Sequence, residues 1–130
     1  MGIFASQVQA EQKADLGSWE VHYIAINSTF LTPEIAKHYG ILRSKYNAVI
    51  NISVLDKQDK TAQSVVVTGE AKNLLGVVKK LSFKKVTQGG AIYYLAPLSF
   101  SDLEQYRMTV NLNDGTEQET LKFQHKFYAE

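Results

Sequence analysis

The chain has 130 residues, 45% of them hydrophobic and 21% charged, which is the composition of an ordinary globular domain long enough to bury a core. A formal charge of +1 creates no global field, so neither nucleic acid nor an anionic membrane is favoured electrostatically. The absence of cysteine excludes disulfides, thiolate metal sites and a cysteine nucleophile.

The first ten residues differ from the rest. Ile3-Phe4-Ala5-Ser6-Gln7-Val8-Gln9-Ala10 ends in a small-x-small pattern like that of a secretory signal peptide, which places the mature start at Glu11. Residues 1–16 therefore read as a signal-peptide remnant and flexible N-terminus, and residues 17–130 as one domain. No run of about 18 apolar residues follows, so no membrane span is expected.

Trp19, Val21, Tyr23 and Ala25 alternate with Glu20 and His22, and Ile24 and Ile26 are apolar as well. That is a strand buried on both faces, or one with a bulge. Thr32-Pro33-Glu34 is a helix start: a capping hydroxyl, a proline that loses no needed donor, and a carboxylate at the positive end of the dipole. Gly40 stops the helix, which spans about residues 33–39 with Ile35 and Tyr39 on one face. Ala48, Ile50, Ile52 and Val54 form the cleanest strand of the first half, and Val65 to Thr68 reads as its antiparallel return. Gly69 suggests a bulge in that return. The apolar pair in Asn73-Leu74-Leu75-Gly76 is expected to tuck under the sheet edge. Leu81 and Phe83 are the inward pair of an irregular stretch from Val77 to Val86.

Gln88-Gly89-Gly90-Ala91 marks a turn, after which Ile92 to Leu95 returns and Pro97 closes the strand. Tyr106, Met108, Val110 and Leu112 alternate with polar residues up to Asn113-Asp114-Gly115-Thr116. Asp-Gly between alternating runs predicts a type I′ hairpin, with Leu121, Phe123 and Phe127 coming back on one face. About seven strands with regular turns and one short helix give an all-β, immunoglobulin-like antiparallel β-sandwich; a small closed barrel is the alternative. Asp102 followed by Tyr106 at a strand start fits the tyrosine corner of that fold, with Met108 where a cysteine would sit.

The chemistry-bearing residues form no catalytic set. His22, His38 and His125 have no metal-ligand spacing, and there is no nucleophile elbow or phosphate-cradling loop. An enzyme would have to use Glu34, His38 and Asp102. Lys79-Lys80 and Lys84-Lys85 read as guards of an edge strand, or as an anion-attracting strip. Tyr93 and Tyr94 must point to opposite faces, leaving one at a rim.

Trp19-Glu20-Val21-His22-Tyr23, Asn27 through Ala36, Asn51-Ile52-Ser53-Val54, Asn73-Leu74-Leu75-Gly76 and Ala91-Ile92-Tyr93-Tyr94 resemble a family of small exported Gram-negative proteins, domain of unknown function 4426. The resemblance runs from about Gly17 to Tyr128. It implies a β-rich single domain behind a signal peptide in a periplasm, with no site residues to carry over.

The expectation is a non-enzymatic periplasmic binding or accessory domain acting through protein–protein contacts. It would be a monomer or weak homodimer with an unknown protein partner, no nucleic acid and no cofactor. The interaction surface is expected at Lys84, Lys85, Tyr93, Thr32, Glu34 and His38. The alternative is a carrier of a small apolar ligand, with Trp19, Tyr39, Phe30 and Leu31 lining a cavity between the sheets.

Overall fold

The computed structural model describes residues 11–130, and the signal-peptide reading of residues 3–10 lies outside them. Nine strands follow in chain order: β1 Gln12–Leu16, β2 Trp19–Asn27, β3 Asn47–Asp56, β4 Val66–Asn73, β5 Val78–Leu81, β6 Lys84–Gln88, β7 Ala91–Ser99, β8 Gln105–Asn113 and β9 Gln118–Lys126. A 3-10 turn at Ser28–Phe30 and a helix α1 at Pro33–His38 interrupt them between β2 and β3. One antiparallel sheet has the order β1-β2-β3-β7-β6, and the other β5-β4-β8-β9.

This is an all-β sandwich. Strands β2, β3, β7 and β6 stand in the order A-B-E-D of the immunoglobulin fold, and β4, β8 and β9 in the order C-F-G. The two sheets meet where period-2 alternation says they should. Ala48, Ile50, Ile52 and Val54 of β3 and Tyr106, Met108, Val110 and Leu112 of β8 are fully buried in one hydrophobic cluster. Tyr106 opens β8, the F-equivalent strand, as the tyrosine corner requires. Its hydroxyl, however, is buried without a hydrogen-bond partner.

Several expectations are corrected. Gln12–Leu16 is not a flexible tail but edge strand β1, paired residue for residue with β2 from Gln12↔Tyr23 to Leu16↔Trp19. The stretch after Val65 does not return along β3: it crosses to the second sheet and pairs with β8 and β5. The crossing is pinned where the Val65 N–H donates to the Tyr94 hydroxyl at 2.8 Å. Gly69 makes no bulge, because its pairing is continuous on both sides with Leu81 and Val110. A glycine is needed because a Cβ there would lie 2.9 Å from the Thr109 carbonyl oxygen and 3.3 Å from the Phe83 ring.

Leu74 and Leu75 do not tuck in. They are 77% and 89% exposed. The Asn73 side chain closes that turn on itself, accepting the N–H of Leu75 at 3.0 Å and of Val77 at 2.8 Å, and the leucines are left at the tip. The irregular stretch from Val77 to Val86 is two strands, β5 and β6, at the edges of different sheets. The β8–β9 turn is not type I′, since Gly115 alone takes positive φ (94°) there, and the Asp114 carboxylate caps it by accepting the N–H of Thr116 and Glu117.

Candidate functional site

The feature that stands apart from a plain sandwich lies on the outer face of the five-stranded sheet. An antiparallel sheet ordinarily presents polar residues to water on that face. Here Ile26 of β2, Val49 of β3, Leu95 and Tyr93 of β7 and Val86 of β6 make it apolar, and the segment between β2 and β3 is folded over them. Cross-strand register explains the continuity. Val49 stands between Ile26 and Pro97, Asn51 between Ile24 and Leu95, and Val86 opposite Tyr93.

The covering segment is built to hold its shape. Thr32 caps α1 by accepting the Ile35 N–H at 3.2 Å, with Pro33 and Glu34 in the first turn. At the other end the Ile41 N–H bonds the Ala36 carbonyl (2.7 Å) and the Gly40 N–H the Lys37 carbonyl (3.2 Å), a Schellman stop that needs the positive φ of Gly40. Fully buried Ser28 joins the two ends of the segment: its Oγ donates to the Ser44 carbonyl (3.0 Å) and accepts the Ser44 N–H (2.9 Å). Arg43 adds a bond from Nε to the Leu31 carbonyl at 2.8 Å, and Asn47 one from Nδ2 to the Leu42 carbonyl at 2.8 Å.

Between roof and floor remains an open apolar groove of about 170 Å³. Leu31, Ile35, Tyr39 and Ile41 form its roof, and the sheet residues together with Asn51 and Gln88 its floor and rim. Asn51 is the polar residue of the floor, on the central strand. Its Oδ1 is buried and has no hydrogen-bond partner.

The groove takes in some of the residues singled out from the sequence and not others. Tyr39 and Leu31, assigned to a ligand cavity, do line it, but the cavity is outside the sandwich and not between the sheets. Trp19 belongs instead to the hydrophobic core, and Phe30 is half exposed outside the groove. Of the expected interaction surface, Tyr93 lines the groove, and Thr32, Glu34 and His38 stand exposed on α1, which roofs it. Lys84 and Lys85 are exposed on edge strand β6, in successive positions that face opposite ways. Lys85 reaches across to the Ser64 hydroxyl at 2.6 Å, and Lys79 on β5 to the Ser99 carbonyl at 2.8 Å. The four lysines therefore guard two separate edges and make no single strip. Asp102 accepts the Ala129 N–H at 2.9 Å and shares no bond with Glu34 or His38 among the described residues.

The model of the family described as Domain of unknown function (DUF4426) matches residues 13–130. The chain belongs to the DUF4426 family. A crystal structure of a DUF4426 family protein from Pseudomonas aeruginosa PAO1 superposes with a TM-score of 0.81 at 36% identity, covering 92% of this chain and 96% of that one. Two structures of FetP from uropathogenic Escherichia coli strain F11 also match at 10% identity. One is a copper-bound variant, with a TM-score of 0.65 over 95% of this chain and 98% of that one. The other is the "as isolated" protein, recombinantly expressed in the periplasm of E. coli BL21(DE3), with a TM-score of 0.59 over 91% and 92%. At that identity the likeness is one of fold alone. No curated protein matches the chain.

This DUF4426 domain also holds a polar cluster that the sequence reading missed. Buried Glu20 accepts from Lys60 Nζ at 2.7 Å, meets His22 Nε2 at 2.7 Å and lies 3.8 Å from Lys13 Nζ. The Lys60 hydrogen bond, then that of His22, pull the Glu20 carboxyl down to about 2. Glu20 and His22 at i, i+2 share one strand face, which is the signal that could have paired them. His125, packed edge-on against Phe127 at 4.5 Å between ring centres, has its pKa lowered by burial. Among the described residues no group of three or more His, Asp or Glu side chains could hold a metal ion, and no helix is long and apolar enough to cross a membrane.

Proposed function

We propose that this DUF4426 domain is a non-enzymatic binding domain of the cell envelope that takes an apolar group into the groove between α1 and the five-stranded sheet. One observation carries the reading: the chain folds a capped, cross-bonded segment over an apolar outer sheet face, yet leaves about 170 Å³ between them unfilled. A segment serving only to cover the sheet would pack down on it, because protein interiors close gaps larger than a water. The side chains that line the groove include no carboxylate, lysine or histidine, so they offer hydrophobic contact and hydrogen bonds but no acid–base pair. The family resemblance and the small-x-small pattern at Val8 and Ala10 support export to the periplasm.

The test is a titration with toluene followed by amide chemical shifts. Shifts confined to Ile26, Val49, Val86 and Leu95 and their neighbours are expected. Ile35→Arg, at a half-exposed roof position that leaves the core intact, should abolish them without lowering the melting temperature. Shifts scattered over the surface, or unchanged in Ile35→Arg, would end the reading.

A second reading, contact with a protein partner, is favoured by the exposed tip of the β4–β5 turn. Leu74 and Leu75 stand in water there on a hairpin stiffened by Asn73. A photo-crosslinker placed at Leu75 in the native envelope should capture one protein, and capture should fail in Leu74→Asp.

A further inference from the structure

We propose that the groove selects a small, single-ring ligand bearing a hydroxyl or N–H donor, and that Asn51 Oδ1 is the acceptor that orients it. This rests on the reading of the groove as a binding site and adds its chemistry.

The first observation is the orphaned atom. Nearly every buried polar atom in a folded protein has a partner, because an acceptor stripped of water and left unpaired is costly. Asn51 Oδ1 is buried without one, although Gln88 and Tyr93 line the same groove. The second is its setting. Asn51 stands on the outer face of the central strand, with Ile24 and Leu95 opposite it and Val49 two residues before it. A leucine or valine at this position would continue that apolar floor at no desolvation cost. An amide there makes sense when something entering from the groove brings the donor. The third is size. A cavity of roughly 150 Å³ holds a benzene ring, and this groove, open on one side, has about 170 Å³. Its lining is uncharged: the polar side chains there are Asn51, Gln88 and the hydroxyls of Tyr39 and Tyr93, which favours a neutral ligand. A ring lying on apolar side chains, with one hydroxyl or N–H directed at the floor and the covered Asn51 amide turned about its Cβ–Cγ bond to meet it, satisfies all three observations.

Three probes of nearly equal shape decide the matter: toluene with no polar group, p-cresol with a donor, and 4-methylanisole with an acceptor alone. Each is titrated into the wild-type chain by amide chemical shift. p-Cresol is expected to bind about tenfold more tightly than 4-methylanisole, the worth of one net hydrogen bond, and to move the Asn51 side-chain resonances. In Asn51→Leu that ratio should fall to about one while toluene binding is kept or strengthened. Equal affinities in the wild type, or a preference for the ether, would overturn the assignment and leave the groove standing as an apolar site. Failure of all three probes would remove the groove reading itself and this inference with it. The wild-type comparison needs no variant, so an Asn51→Leu chain that did not fold would leave the outcome readable.

Discussion

Tyr106 is the residue at which this sandwich departs from the corner its sequence announces. In that motif the hydroxyl bonds back to the chain a few residues upstream. Here the candidate acceptors are engaged elsewhere. Asp102 Oδ1 accepts the Ala129 N–H, and the Glu104 carboxylate takes the Asn73 amide at 2.8 Å and the Ser101 N–H at 2.9 Å. Burial pushes the phenol up to about 12. What Tyr106 contributes is its ring, set edge-on to Phe127 at 6.1 Å and under the Lys79 ammonium at 5.6 Å. Removing a buried polar atom that lacks a partner costs little or is stabilising. Tyr106→Phe should therefore leave unfolding in urea unchanged or raise stability, within about 1 kcal/mol. A loss well beyond that would show that the hydroxyl is bonded.

Among the elements, central strands were legible and edges were not. Strands β3 and β8 bury every second residue against the opposite sheet, so period-2 alternation survives into the sequence. Strand β1 is short and mostly exposed: Ala14 and Leu16 alone pack against the core, an alternation too brief to announce a strand, and backbone pairing with β2 holds the rest. The same holds for β5 and β6, whose lysine-rich edges concealed a crossing between sheets. The groove was half legible. Apolar residues on both faces of β2 implied a cover, and the helix start at Thr32 supplied one, but the space left between them depends on how α1 packs. Asn51, lying between the inward Ile50 and Ile52, is marked by the alternation as nothing more than an outward polar residue, and its unpaired Oδ1 is a fact of tertiary structure. Gly69 shows the limit of local reasoning most sharply. Glycine in a strand suggests a bulge, whereas the structure uses it for close approach to β8. Gly69→Ala should destabilise by about 1–3 kcal/mol, because the Thr109 carbonyl belongs to a paired backbone that cannot move aside cheaply. A neutral result in urea unfolding would mean that the two strands are able to separate.

For the molecule as a whole, groups on different sheets tie stability to pH in separate windows. His125, on β9, is partly buried among aromatic rings, and burial lowers its pKa below 6.5. Above pH 6.5 both folded and unfolded chains hold it neutral and its contribution is complete. As pH falls below 6.5 the unfolded chain takes up the proton first, so stability declines down to the folded pKa. Glu20, on β2 of the other sheet, is held at about 2 in place of 4.5 by Lys60 and His22. Its contribution is complete above pH 4.5 and is lost as pH falls from there toward 2. Melting temperature measured from pH 7 to 2 should therefore fall in two steps. His125→Gln should flatten the upper step and spare the lower. Glu20→Gln should spare the upper step and make the lower one shallower, the remainder coming from Asp59, Glu104, Asp114 and Glu117, whose carboxyls are also held low, at the cost of leaving Lys60 without its partner at every pH. A single acid transition that neither variant alters would show that neither group differs in proton affinity between the folded and unfolded chain.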